Sequence, residues 1–327
     1  MINISKKEWL KFSETELSDF VNNVFEHYRS TGFPYYKLTD IDIQKELIKL
    51  QKYNTSNILD GDILKQTMLG LNLANFYMPH MYSTKCNGFR TPYDNFIDDE
   101  WLLKTIKKRI QLGDNMSDSG IRKTLSFISG SHKVSNFRPT IAKWVYDNFS
   151  GDGKVLDYSA GYGGRLLGAI SSDKVISYTG VDPCLNTYNG LCEIKKVSNK
   201  DIYLYNEAFE DVILNETYDL SFSSPPYYNT EEYDYSDKQS FIRYKTKDDW
   251  KNNFLTKIIE KNFELLKQNG IFIINIANVK NYKTLEEDTI SICIKTGFTL
   301  VHTYKMSLSS LMKGGFKYEP IFIFKKM

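Results

Sequence analysis

Cysteine is scarce in these 327 residues and is spread out: Cys86, Cys184, Cys192 and Cys293 form no CxxC pair and have no histidine-rich neighbourhood. That spacing argues against a zinc site and for reduced thiols in a cytosolic setting. Net charge is also nearly absent. The 42 basic residues against 40 acidic ones leave +2, so no global basic field advertises a polyanionic partner, although a local basic channel stays compatible. Long apolar runs are missing too. No stretch approaches the ~18 consecutive apolar residues of a membrane span, and the N-terminal MINISKKEWLKF is too polar for a signal peptide. The expectation is a soluble, cytoplasmic protein with no membrane partner.

What is present is enough apolar and aromatic sequence to bury a sizeable core, over a length that suggests about two domains. The pattern changes near Ser131. Before it, apolar residues recur at helical spacing: Trp9, Leu10, Phe12, Leu17, Phe20, Val21, Val24 and Phe25, then Ile41 to Leu50, Ile63 to Phe76 and Trp101 to Ile110. Tyr77 to Phe96 reads as irregular. The expected organisation is a mainly helical domain over 1–130 and a second domain over 131–327.

The second domain alternates short apolar strands with helices. Strands are predicted at Lys154 to Asp157, Ile176 to Val181, Ile202 to Tyr205, Tyr218 to Ser223 and Ile271 to Ile276. Helices are predicted at Arg165 to Ser171, Thr187 to Val197 and Asp248 to Leu266, the last closed by Asn269-Gly270 as a C-cap. Two closing strands, Thr299 to Met306 and Tyr318 to Phe324, would be joined across Lys313-Gly314-Gly315. Such alternation implies an α/β fold: a doubly wound, mostly parallel sheet of Rossmann-like type, with an antiparallel C-terminal hairpin.

Two segments carry chemistry. The first, Asp157-Tyr158-Ser159-Ala160-Gly161-Tyr162-Gly163-Gly164-Arg165, joins the first strand to its helix. Its glycines let the backbone turn tightly and come close to a ligand at the carboxyl end of the strand. The second strand ends in Gly180-Val181-Asp182, and that carboxylate can accept both hydroxyls of a ribose. At this point a dinucleotide and S-adenosylmethionine fit equally well. The second segment is Ser223-Ser224-Pro225-Pro226-Tyr227-Tyr228, roughly sixty residues on, at the end of a strand expected to lie beside the glycine loop. A double proline there stops the ladder and stiffens the backbone.

Together these residues resemble the amino-methyltransferases that modify cytosine N4 or adenine N6 in DNA, whose hallmark is a [Ser/Asn/Asp]-Pro-Pro-[Tyr/Phe] tetrapeptide. The resemblance covers about three-fifths of the chain, from Asn136 onward. It implies the Rossmann-like class I methyltransferase fold, S-adenosylmethionine as cofactor, DNA as partner and a place in restriction–modification. It also implies a catalytic set of Ser224, Pro225, Pro226 and Tyr227. The cofactor set it implies is Asp157, Ser159, Gly161, Gly163 and Asp182, with Phe209 from Asn206-Glu207-Ala208-Phe209-Glu210 at the adenine ring. Arg138, Pro139 and Thr140 would lie near the methionine part. In such a site Ser224 and the Pro225 carbonyl accept hydrogen bonds from the amine and localise its lone pair, Tyr227 stacks on the base, and the base is flipped from its helix. Neither a metal nor a cysteine nucleophile is called for, and Pro183-Cys184, after the wrong strand for a C5-cytosine enzyme, reads as a core thiol.

Recognition is less defined. The last predicted strand runs directly into Lys325-Lys326-Met327, so recognition is expected from the N-terminal half or from a partner, or is expected to be slight. Lys104, Lys107, Lys108 and Arg109, with Arg122, Lys123, Lys133 and Arg138, are the basic candidates for a groove leading to Ser224. Arg243, Lys245 and Lys247, in the long segment after Tyr228, could meet phosphates, and its tyrosines could stack on bases. RNA bases, a protein amide, and a non-catalytic nucleic-acid-binding subunit are the alternatives.

Overall fold

The computed structural model describes residues 6–310 and 316–327, so the expected joint across Lys313-Gly314-Gly315 lies outside the described residues. The chain divides into two compact units, but not at residue 130. One gathers Pro79–Ser135 with the chain up to Lys37; the other joins Leu38–Met78 to Asn136–Met327. Each is built around its own buried side chains.

In the first unit, Ser13 caps the helix Glu14–Thr31 through a reciprocal capping box with Glu16. Its apolar stripe, Phe20, Val21, Val24 and Tyr28, is buried as the periodicity predicts, and the same holds for Leu102 and Ile106 on Asp99–Gln111. A third helix, Asp118–Phe127, completes this layer. Two members of the basic clusters turn inward. Arg109 is 5% exposed, with its guanidinium on Asp114 (2.9 Å) and the Asn115 carbonyl (2.7 Å). Arg122 donates to the Pro34 carbonyl at 2.5 Å and lies 3.9 Å over the Tyr36 ring. Buried cations held this way serve the fold, so neither is a phosphate contact.

The second unit carries a nine-stranded sheet. Its strands in chain order are β1 (Leu59–Asp60), β2 (Ile63–Leu64), β3 (Lys154–Asp157), β4 (Ser177–Val181), β5 (Asp201–Tyr205), β6 (Tyr218–Ser223), β7 (Leu266–Asn275), β8 (Phe298–Ser310) and β9 (Phe316–Lys326). Helices α1 (Asp40–Gln51), α2 (Leu71–Tyr77), α3 (Pro139–Phe149), α4 (Gly164–Ser171), α5 (Leu185–Lys195), α6 (Thr256–Leu265) and α7 (Leu285–Thr296) accompany it. The spatial order is β1-β2-β8-β9-β7-β6-β3-β4-β5. Strands β7, β6, β3, β4 and β5 run parallel, and β9 is antiparallel to both β7 and β8. This is the Rossmann-like class I methyltransferase fold. All six residues of β6 are buried, as expected of a central strand covered on both faces.

The strand order reverses between β3 and β6, so the crevice at their carboxyl ends is the topological switch point. The glycine loop follows β3 and the Ser224 segment follows β6, which is the neighbourhood their spacing predicts.

Two expectations differ. Ile63 to Phe76 is not one helix: Ile63–Leu64 forms β2, which joins the edge of β8 (Lys305 opposite Ile63, Met306 opposite Leu64), and only Leu71–Tyr77 is helical. The helix predicted over Asp248 to Leu266 is present, continuous from Lys247, through a π-turn at Lys251–Leu255, to Leu265, but its end differs. Asn269-Gly270 is not its cap. Asn269 sits at φ 65° within β7, where the register against β6 jumps from Leu266 to Ile271, so the left-handed residue serves a bulge.

Candidate functional site

Asp157 closes β3 with a fully buried carboxylate whose oxygens are taken from inside the protein. Arg165 Nε (2.8 Å) and the Tyr178 hydroxyl (2.7 Å) donate to one oxygen, and the Ser223 hydroxyl (2.7 Å) donates to the other. Ser223 in turn accepts the Ser159 N–H at 3.1 Å, and the Arg165 guanidinium also reaches the Ser159 carbonyl. The last residue of β6 and the loop after β3 are thereby tied to one buried ion pair. Asp157 holds the loop in shape.

Within the loop, Gly161 and Gly163 take φ of 59° and 78°, a left-handed conformation that side chains resist. Gly161 donates its N–H to Asp182 Oδ2 at 2.8 Å, and Cys184 donates to Oδ1 at 3.0 Å. Burial pushes the Asp182 carboxyl up to about 7 in spite of these two donors. Each of its oxygens keeps a lone pair, so a ribose diol can still be held. A side chain on Gly161 would meet nothing closer than Arg165 Nη2 at 3.5 Å, which leaves room above the turn.

Asn136 supplies a second sign of a ligand. Its amide donates to the Tyr162 carbonyl (2.8 Å), while its buried Oδ1 has no partner. That oxygen lies beside Gly164 at the start of α4, where a Cβ would come within 2.7 Å of it. An orphaned acceptor suits an ammonium donor, so Asn136, the loop and Asp182 fit an adenosyl amino acid such as S-adenosylmethionine.

Several expected contacts are placed elsewhere. Phe209 is 3% exposed and belongs to the core, its ring 5.4 Å from that of Tyr158 and 5.0 Å beneath the Lys261 ammonium. Thr140 is fully buried with its hydroxyl on Thr67 (2.9 Å), Pro139 packs beside Gly70, and Arg138 Nε donates to Gln66 (2.8 Å). These three start α3 and clamp residues 66–70. Cys184 is buried, and burial raises its thiol to about 11, consistent with a core thiol and not a nucleophile.

On the other side of the switch point, Ser224, Pro225, Pro226 and Tyr227 leave β6 as a stiff turn. Tyr228 anchors it: at φ 58°, it buries its ring against Trp250 and Tyr282 and donates its hydroxyl to the Lys245 carbonyl at 3.0 Å. The Tyr227 hydroxyl lies 3.4 Å from Ser224 Oγ, 3.2 Å from Asn275 Oδ1 and 3.2 Å from Glu319 Oε2. Burial raises both the Tyr227 phenol and the Glu319 carboxyl above their ordinary values. Burial likewise takes Glu231 to about 7, although the Tyr233 hydroxyl donates to it. Asn275, Glu319 and Glu231 are additions to the expected site. A signal existed: Lys317-Tyr318-Glu319-Pro320 places a carboxylate and a proline directly before the apolar run Ile321 to Phe324.

The segment after Tyr228 contributes unevenly. Tyr233 approaches the glycine loop, its ring 6.0 Å from that of Tyr162, while Tyr235 is exposed. Arg243 is spent on Asp211 (2.5 Å) and the Asp237 carbonyl (2.7 Å), which removes it from the phosphate candidates. Among the described residues no cluster of histidine, cysteine, aspartate or glutamate could hold a metal ion, and no helix is long and apolar enough to cross a membrane.

No protein-family model matches the chain, and no curated protein matches it. Among solved structures it is similar to a methyltransferase from Pyrococcus furiosus (17% identity, 57% of this chain and 82% of that one, TM-score 0.40). It is also similar to magnesium protoporphyrin IX methyltransferase from Synechocystis with bound SAM (16% identity, 57% and 77%, TM-score 0.40). A third is the N-methyltransferase NodS from Bradyrhizobium japonicum in complex with S-adenosyl-L-homocysteine (13% identity, 57% and 84%, TM-score 0.41). These likenesses carry no assignment; the strand order does, and it gives the second unit of this chain the class I methyltransferase fold.

Proposed function

We propose that this chain transfers a methyl group from S-adenosylmethionine to the exocyclic amino group of a nucleic-acid base, cytosine N4 or adenine N6 in DNA. The observation that carries the reading is the joining of two segments at one switch point. Ser223, the residue before the tetrapeptide, is bonded to Asp157 and to Ser159 of the glycine loop. The acceptor turn and the cofactor loop are thus held in fixed register.

Bound in the loop, S-adenosylmethionine supplies an electrophilic methyl on a sulfonium. The chain's own work is positioning. Asp182 would hold the ribose, and Asn136 Oδ1 would accept from the ammonium. An exocyclic amine on a base is a poor nucleophile because its lone pair is delocalised into the ring. Ser224 Oγ and the Pro225 carbonyl accept its two N–H bonds, favouring a pyramidal nitrogen aimed at the methyl. The prolines keep those acceptors from relaxing toward solvent. Tyr227 offers its ring face to the flipped base.

The test is incubation with isotopically labelled cofactor and DNA or RNA, then mass spectrometry of the nucleosides. Labelled N4-methylcytosine or N6-methyladenine from DNA supports the reading. Product from RNA alone moves the substrate class, and label on neither refutes nucleic-acid methylation.

A further inference from the structure

Tyr227 has one proton and too many acceptors. Glu319 Oε2 and Asn275 Oδ1 both lie 3.2 Å from its oxygen, and the Asn275 carbonyl lies at 3.3 Å. Asn275 Nδ2 is committed to the Pro320 carbonyl (2.9 Å), which turns its Oδ1 toward the tyrosine. Ser224 Oγ, on the substrate side, is 3.4 Å away, and there either oxygen can be the donor. Which way the serine proton points therefore depends on where the tyrosine proton goes.

Resting on the amine-methylation reading above, we propose that Glu319 is a positioning residue, the terminal acceptor of a Ser224–Tyr227–Glu319 relay that fixes Ser224 as an acceptor and receives the proton the amine gives up. With Glu319 ionised, Tyr227 donates to it, and the tyrosine oxygen is left to accept the Ser224 hydroxyl. The lone pairs of Ser224 Oγ then face the substrate. With Glu319 protonated, Tyr227 donates to Asn275 or Ser224, and the serine proton is released toward the amine it should be accepting from.

The same chain closes the reaction. Methylation leaves the nitrogen with a positive charge and an extra proton. Its N–H bond breaks with the electron pair staying on nitrogen. Ser224 Oγ takes that proton and passes its own to the Tyr227 oxygen, which passes its own to the Glu319 carboxylate. Nothing is oxidised or reduced, and no further reactant is needed. Glu319 suits a proton acceptor because burial raises its carboxyl, while Tyr227, Asn275 and Lys317 favour the ionised form and Glu286 opposes it. Glu231 faces it as a second carboxylate but is already engaged by Tyr233.

The experiment measures single-turnover methyl transfer, with enzyme saturated in S-adenosylmethionine, across pH for wild type, Glu319→Gln and Tyr227→Phe. Cofactor affinity and thermal unfolding are measured in parallel. Glu319→Gln keeps an acceptor for the tyrosine but cannot take a proton. The expected result is a loss of roughly 10²-fold or more in rate, with the acid limb of the profile abolished and cofactor affinity unchanged. In cofactor-free protein carrying ¹³C-labelled glutamate, Tyr227→Phe moves the Glu319 titration further upward, because a donor to the carboxylate is gone. A wild type that methylates while Glu319→Gln keeps its rate and its acid limb overturns the relay alone. A Glu319 titration unmoved by Tyr227→Phe does the same. A wild type that methylates no nucleoside overturns the function reading, and the relay with it.

Discussion

Cofactor affinity should fall as the solution is acidified, and Asp182 sets both the direction and the size. Its carboxyl, pushed up to about 7 by burial, is half protonated at neutral pH in the cofactor-free protein. A ribose diol donates to the ionised form, so binding lowers this pKa and expels the proton. The sign follows: affinity is fully developed above about pH 7 and is lost as pH falls through it. If the bound carboxyl titrates below pH 6, the apparent Kd scales as 1 + 10^(7−pH), about 11-fold above its limit at pH 6 and about 1.1-fold at pH 8. The difference is roughly tenfold, or about 1.4 kcal/mol. Calorimetric titration with S-adenosylhomocysteine at both values measures it, and buffers of different ionisation heat should report about half a proton released at pH 7. Asp182→Asn should bind more weakly with no such slope, which separates Asp182 from Glu231, the other carboxyl near 7. A wild-type Kd that is flat from pH 6 to 8, with no proton released, refutes the ribose assignment.

Further outcomes follow from the same geometry. Asp157→Asn leaves the Arg165 guanidinium, 4% exposed, without its anion, and should cost about 3–5 kcal/mol in urea unfolding; a loss below about 1 kcal/mol would mean the pair does not hold the loop. Pro225→Ala should abolish methyl transfer while leaving the Kd for S-adenosylhomocysteine within about twofold, since Pro225 lies in the acceptor turn. If binding is lost as well, the two halves of the site are misassigned. Lys104 and Lys107 are exposed, unlike Arg109, so their joint reversal to glutamate should weaken DNA binding and flatten its salt dependence by up to about two counterions; unchanged binding removes them as phosphate contacts.

The central sheet and its switch point were legible because a buried strand, a glycine turn and a capped helix are local patterns. Tyr218 to Ser223 was read with its observed bounds, and the pairing of the Ser224 segment with the glycine loop followed from connection rules alone. What was not legible is what distant chain segments decide. Thr140 reads as a site residue until Thr67, 73 positions earlier, takes its hydroxyl. Phe209 sits in a loop whose composition suits a cofactor edge, yet the Tyr158 and Lys261 side chains enclose it. Arg109 continues a basic helical row, and only the turn that brings back Asp114 draws it inside. The acid of Lys317-Tyr318-Glu319-Pro320 stands out in its strand, but what it faces is decided only when β9 pairs between β8 and β7 and brings Asn275 and Tyr227 to it.

The early hairpin β1–β2 has a consequence for how the second unit is made. Its partner, β8, lies some 240 residues downstream: Ser307 Oγ donates to the Leu64 carbonyl at a separation of 243. During synthesis, residues 59–64 leave the ribosome long before the strand edge they complete exists, and they must wait as an unpaired ribbon. Joining ends so far apart is a slow, non-local step. Expression of 131–327 alone would retain both chemical segments yet expose the edge of β8 and strand the Thr140 hydroxyl. A fragment cut at the apparent compositional boundary should therefore aggregate, while one that begins at Leu38 keeps the hairpin in reach of its partner.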